Sequence, residues 1–384
     1  VTVFFEVRRH GDASIDGNAF LAGAAITAFR HGERRIAVEG TICPLLRDGI
    51  AAAAGVLGAW YRPGRPAPIL EPSRGFVAPH PAGPRSGVLV SGGIDSLFSI
   101  LRNRRDLPEE HPLAFREAIR VRHLMFPVVS SPERRAHIER RSSAAVAAIA
   151  GDAGLEIAEV TTNVTALDDD FEGYLKWTHG SVLAACAIAA AAPLTDVTIS
   201  ATHDFRTELK SWGSHPLLDE EFGTAAVRIR HEGIETTRLE KTIEIARWPA
   251  ALQALYVCEA GPFPGEALNC GRCEKCIRTR AALLVAGIEE PPSFPDGRLR
   301  VEEIEAMPAM ASFRRFTYYW DELLAPLRAA GRSDLAEAID RLARRQRSIE
   351  GWKAEHGWKP ALRRFDERRL GGALLRVGRA WLRR

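Results

Sequence analysis

The six residues Ser91-Gly92-Gly93-Ile94-Asp95-Ser96 constrain this chain more than any other stretch. A short apolar run, Gly87–Val90, leads into them. From Ile94 to Arg104 the pattern turns helical, with Ile94, Leu97, Phe98 and Leu101 on one face. Two adjacent glycines let a backbone turn sharply and bring its N–H groups close to a ligand. A helix beginning at Ile94 adds unpaired N–H groups and a positive dipole end. Ser91 and Ser96 supply hydroxyl donors. Asp95 repels a phosphate but suits a Mg2+ ion riding on phosphates. The spacing is neither G-x-x-x-x-G-K-[ST] nor G-x-G-x-x-G. The plain alternative is a serine-glycine turn that caps an ordinary helix.

The alternation of strand and helix continues beyond this loop. Val121–Val129, Ile157–Thr162 and Val197–Ala201 read as strands, and Pro132–Ala150 and Gly180–Ala192 as helices. This order predicts an α/β fold, a doubly wound parallel sheet with helices on both faces, over residues 86–257. Residues 1–80 read as a small α+β region with β-like runs at Val3–Val7 and Arg35–Val38 and one alanine-rich helix, Leu45–Trp60. Arg62–Arg85 holds seven of the 23 prolines and reads as a linker or an extended crossing segment. Residues 286–384 read as a helical region rich in Arg, Ala, Leu and Glu. With 384 residues, two or three domains are expected. The longest apolar run, Val182–Ala192, spans 11 residues. A membrane helix needs about 20, so no span is expected.

Cys270-x2-Cys273-x2-Cys276, with Cys258 upstream, supplies four thiolates. Tetrahedral Zn2+ takes four soft ligands, and such a closed set makes the metal structural. Arg272, Lys275, Arg278 and Arg280 would offset the negative charge of the site. A [4Fe–4S] cluster also uses Cys-x2-Cys-x2-Cys, and unliganded thiols are the remaining reading. Cys43 and Cys186 sit in apolar surroundings and read as core residues. Few cysteines, three of them packed into seven residues, and no cationic-then-apolar opening segment together lead us to expect a cytoplasmic protein.

The loop resembles the SGGxDS pyrophosphate loop of the ATP-pyrophosphatase (PP-loop) superfamily. The run Cys258…Cys270-Gly271-Arg272-Cys273-Glu274-Lys275-Cys276, trailing to Arg278, is similar to the zinc cluster of the 7-cyano-7-deazaguanine synthase family. The resemblance covers roughly residues 86 to 285. It implies an adenine nucleotide alpha-hydrolase-like fold, an ATP and Mg2+ requirement, and structural Zn2+ on Cys258, Cys270, Cys273 and Cys276. Ser91, Gly92, Gly93 and Ser96 would bind the phosphates and Asp95 the Mg2+. Arg238-Leu239-Glu240-Lys241-Thr242-Ile243-Glu244-Ile245 is similar to a K-x-E-I segment whose lysine approaches the phosphates, which makes Lys241 the counterpart for the leaving pyrophosphate. The adenine would lie near Leu124, Met125 and Phe126, at the end of the second strand. The family's Gly-Gln-Arg-His run is replaced here by His123-Leu124-Met125-Phe126-Pro127-Val128. Its substrate segments are replaced by Trp177-Thr178-His179-Gly180-Ser181 and Ala201-Thr202-His203-Asp204-Phe205-Arg206. The ATP half of the pattern is kept and the substrate half rewritten, so the deazaguanine substrate does not transfer.

His179 and His203 are therefore candidates for orienting a substrate or acting as a base, Asp204 for binding Mg2+ or an amine, and Arg206 for binding a carboxylate. Helix capping and loop solvation are the plain alternatives. Asp168-Asp169-Asp170 reads as a solvated acidic turn. The formal charge of +3 hides an uneven distribution: residues 361–384 carry eight arginines against two acids, which leaves the rest at −3. That basic amphipathic tail would dock on the body or a partner subunit, as in a homodimer, bind RNA, or lie on an anionic membrane. The expected function is an ATP-dependent carbon–nitrogen ligase. It would adenylate a carboxylate or amide-like oxygen of a small molecule, peptide or base, then admit ammonia or an amine and release AMP. No glutaminase domain is apparent. The alternatives are RNA base thiolation and a nucleotide-binding regulatory module without turnover.

Overall fold

The run before the glycine loop, Ser86–Leu89, is a strand buried along its whole length in the middle of a six-stranded sheet. The computed structural model describes residues 1–9, 15–81, 83–122, 131–168, 170–191, 193–207, 209–258, 267–295, 297–307 and 318–356. In chain order the first unit comprises β1 (Phe5–Arg8), α1 (Gly17–His31), β2 (Arg35–Val38), α2 (Pro44–Tyr61), β3 (Ile69–Pro72), β4 (Ser86–Leu89) and α3 (Ile94–Asp106). Then follow β5 (Phe115–Arg122), α4 (Pro132–Ala153), β6 (Glu156–Thr162), α5 (Phe171–Gly173), α6 (His179–Ala189), β7 (Asp196–Ser200) and β8 (Arg228–Glu232). The unit closes with α7 (Arg238–Ile245), α8 (Pro249–Ala254) and α9 (Glu274–Val285).

The sheet order is β1-β6-β5-β4-β7-β8, parallel throughout except for β1, which runs antiparallel to β6. From β4 the chain builds outward through β5 and β6, then returns to the other side of β4 for β7 and β8. The direction of winding therefore reverses between β4 and β7, where open α/β sheets leave a crevice at the strands' carboxyl ends. Apolar residues fill both faces. Val88 and Ala118 join one cluster with α3, α4, α8 and α9, while Leu89 and Ile119 join another with α1, α2 and α6. This is an α/β fold with a mostly parallel sheet.

The second sheet strand is Phe115–Arg122, earlier than the run at 121–129 that periodicity favours; residues 123–130 lie outside the described set. The reason is charge inside the strand. Buried Arg120 pairs with Glu139 and Glu159, and buried Glu117 with Arg9, so paired ions occupy positions where a pattern search looks for apolar residues.

Residues 1–80 are α+β but do not stand apart. β1 extends the main sheet, and α1, unmarked in the sequence reading, packs along α6. Both helices are rich in small residues, and Gly23 of α1 comes close to Val164 and Ala185. Within the proline-rich stretch, β3 pairs in parallel with β2 and Phe76 bridges Ile42, so part of that expected linker is strand. The acidic turn is tied down as well: Arg30 pairs with Asp168 and Asp170.

The chain divides into two compact units, Val1–Arg298 and Leu299–Arg384. The second unit is helical where described, with α10 (Val301–Glu305), α11 (Tyr318–Ala329) and α12 (Ser333–His356) around buried Trp320, Leu323, Leu327, Leu335 and Ile339. Among the described residues no helix is long and apolar enough to cross a membrane. The basic tail lies outside the described residues.

Candidate functional site

At the carboxyl end of β4 the chain turns at Gly92, whose φ of 80° belongs to the left-handed region that glycine enters without strain. A methyl group there would sit 3.2 Å from the Ala145 side chain of α4, so the loop is also pressed from above. Gly93 stands at the N-cap of α3. The Ser91 hydroxyl accepts the Gly93 N–H at 3.2 Å, and the Ser96 hydroxyl donates to the Gly93 carbonyl at 3.1 Å. Both hydroxyls thus bond within their own turn, and they lie 3.5 Å apart.

Asp95, in the first turn of α3, meets two cations from α7. Arg238 Nη2 lies 2.8 Å from Asp95 Oδ2, and Lys241 Nζ lies 3.6 Å from Oδ1. A capping box between Thr237 and Glu240 starts α7, and the three-residue spacing of Arg238 and Lys241 puts both on one helix face. Lys241 is only 2% exposed and donates to the Ala201 carbonyl, at the end of β7, at 2.6 Å. Burial pushes its pKa down, while Asp95 draws it back up. Asp95 Oδ1 is shut off from solvent and makes no hydrogen bond. Arg238 carries no signal of its own in the sequence; its phase relative to Lys241 is what could have found it.

Past β7, His203 and Asp204 are buried, and the His203 ring stands edge-on to Trp212 at 5.4 Å between centroids. Burial, reinforced by Arg238, pushes the His203 pKa down to about 4. Asp204 Oδ1 accepts the Arg206 N–H at 3.0 Å. The Arg206 guanidinium is exposed and pairs with Glu240 at 2.6 Å, so it is not gathered with the buried groups.

His179 opens α6 after a π-helical turn, Tyr174–Thr178, and its N–H bonds back to the Tyr174 carbonyl. Burial holds its pKa at about 4 against the pull of Asp219. Asp219 itself is fully buried. It accepts from the Ser214 hydroxyl at 2.7 Å and the His215 N–H at 3.2 Å, and lies 2.7 Å from His231 Nδ1 of β8. Gly180 allows this approach, because a methyl there would overlap Asp219 Oδ1. The N-terminal helix α2 braces the same corner. It packs on the turn Asp219–Phe222, its Trp60 stands against His215 at 5.0 Å, and Tyr61 donates to the Ser211 carbonyl at 2.6 Å. No motif announces Asp219, Ser214 or His231.

The sulfurs of Cys258, Cys270, Cys273 and Cys276 lie within 4.8 Å of one another. Two separations are 3.8 Å (Cys270 to Cys276) and 3.3 Å (Cys273 to Cys276). Four sulfurs about 2.3 Å from a tetrahedral metal are themselves about 3.8 Å apart, so the set fits one ion. Hydrogen bonding among the four thiols favours thiolate at Cys270 and pushes Cys276 up. A bound cation would relieve that conflict. Asn269 fastens the module: Oδ1 accepts from Val257 N and Cys258 N, and Nδ2 donates to the Leu255 and Ser293 carbonyls. The module also holds the glycine loop, since Tyr256 N–H donates to the Gly92 carbonyl at 2.9 Å, two residues before Cys258.

The adenine candidates Met125 and Phe126 lie outside the described residues. No protein-family model, curated protein or solved structure matches this chain.

Proposed function

We propose that the chain is an ATP-dependent carbon–nitrogen ligase of the ATP-pyrophosphatase type, with an adenine nucleotide alpha-hydrolase-like core and a structural Zn2+ on its four clustered cysteines. The observation that carries this reading is the convergence of Asp95, Arg238 and Lys241 beside the Gly92-Gly93 turn, at the point where the strand order reverses. A carboxylate with a buried, unsatisfied oxygen fits a Mg2+ ligand. The adjacent N–H groups and cations fit a polyphosphate. When bound, Mg2+ would neutralise phosphate charge. The loop N–H groups and the Ser91 and Ser96 hydroxyls hold the phosphates, and Lys241 and Arg238 stabilise the pyrophosphate as it leaves. A substrate oxygen attacks the α-phosphorus, and a nitrogen nucleophile then displaces AMP.

Nitrogen in place of sulfur transfer is supported by the cysteines. Four share one cluster, and Cys43 and Cys186 are fully buried in the apolar core, where burial pushes the Cys186 thiol up. The test is incubation with ATP, Mg2+, ammonium and a metabolite extract. AMP and pyrophosphate are the expected products, with Asp95→Asn lowering their formation by about 100-fold. ADP, or no nucleotide cleavage with any extract, would overturn the assignment. Metal analysis should find close to one zinc per chain; iron with brown absorption would replace zinc by a cluster.

A further inference from the structure

We propose that the corner formed by His179, Asp219 and His231 is the nitrogen subsite, which takes ammonia or a primary amine, with His179 as the proton acceptor. The inference rests on the adenylation reading above and assigns its second half-reaction. Three observations converge on the corner. A π-helical turn, a rare geometry that recurs at functional sites, ends at His179. His179 Nδ1 is sealed from solvent and has no hydrogen-bond partner, an arrangement that costs stability unless a ligand completes it. Asp219 is fully buried, yet its carboxylate is held by Ser214, His215 and His231 and pressed onto Gly180 at the head of α6.

The surroundings suit a neutral base next to a fixed anion. The Tyr174 ring stands tilted against the His179 ring at 5.1 Å between centroids. The charges acting on His179 come from Asp219 in the turn after His215, His231 on β8 and Lys275 on α9. His203, beyond β7, lies where Arg238, Asp95 and, more weakly, His179 act on its charge. An imidazole that stays neutral well below pH 7 remains available as an acceptor. Asp219 then offsets the imidazolium that forms, and His231 positions Asp219.

The step balances without a further reactant. The nitrogen lone pair forms a bond to the adenylated carbon, and the carbon–oxygen bond to AMP breaks with its electron pair leaving on AMP. The proton shed by the nitrogen passes to His179 Nδ1, giving the imidazolium that Asp219 offsets.

The experiment separates the two half-reactions in the full-length protein, with a metabolite extract as acyl source and ammonium chloride as nitrogen source. In His179→Asn the pyrophosphate burst should remain near one per active site, while ammonium-dependent AMP release falls about 100-fold. Hydroxylamine, a stronger nucleophile that is neutral at pH 7, should recover most of that loss. In His231→Gln, a positioning variant, AMP release should fall about tenfold with an altered pH profile and an unchanged burst. AMP release in His179→Asn equal to wild type would overturn the proposal. So would loss of the burst in both variants while wild type retains it, because the corner would then serve adenylation or folding. Absence of pyrophosphate from wild type itself would instead sink the adenylation reading.

Discussion

At the end of β4, six consecutive residues make a turn whose one carboxylate meets two cations from α7. At the end of β8, a corner around the buried Asp219 is assembled from the head of α6, the turn after His215 and the edge strand. The first is local, so its chemistry can be read along the chain. The second depends on close approach between distant backbones, with Gly180 against Asp219 and Gly49 of α2 against the carbonyl of Glu221. In the proposed function, phosphate binding would rest on backbone N–H groups that a short motif encodes, and nitrogen handling on burial, which no short motif encodes. The first 80 residues belong to this second side, because α2 clamps the turn that carries Asp219.

The largest expected effect breaks the turn from behind. Removing the metal with a chelator should lower the melting temperature by roughly 10 °C or more. Faster hydrogen exchange at the Tyr256 amide, which bonds to Gly92, would show that the loop loosens with the cysteine module. Unchanged exchange would separate the two. The next effect breaks the other side: Gly180→Ala must push Asp219 aside and should cost about 3 kcal/mol in urea unfolding.

Titration sharpens the contrast. The His179 pKa is pushed from 6.5 to about 4 by burial. Between those values the unfolded chain binds a proton that the folded chain refuses, so stability falls as pH drops below 6.5 and levels off near 4. For one such histidine the loss at pH 5 is about 2 kcal/mol. His179→Asn should remove that share of the acid slope, measured by urea melts at pH 7 and pH 5; an unaltered slope would mean that His179 is not held neutral. His203 is shifted the same way and should contribute a second share. The smallest effect concerns α7. Thr237→Ala removes half of the capping box and should cost about 1 kcal/mol, with the buried Lys241 keeping its bond to Ala201.

Much of the local structure around the Gly92-Gly93 turn was legible. The turn needs glycine at Gly92, the helix start needs no partner, and four cysteines at short spacing declare a shared ligand set. Lys241 was found through resemblance, whereas Arg238 emerges only when α7 is seen to lie on Asp95. On the other side, His179 and His203 were singled out but their environment was not. Asp219 looks like one acid among many until Ser214, His215 and His231 are seen around it. Arg206 looked equivalent to these residues and is instead an exposed partner of Glu240.

The sequence by itself determined the alternating α/β plan, the phosphate-type turn, the cysteine set and the helical character of the C-terminal region, because each follows from spacing along one segment. Tertiary structure alone decided that the N-terminal helices belong to the main core. It also decided that charged residues fill the strand Phe115–Arg122 and that Asp219 meets His231 beside Gly180. Those outcomes turn on which groups lose water together. A buried ion or imidazole is tolerated only where a distant segment supplies its partner, and that pairing is a property of the packed chain.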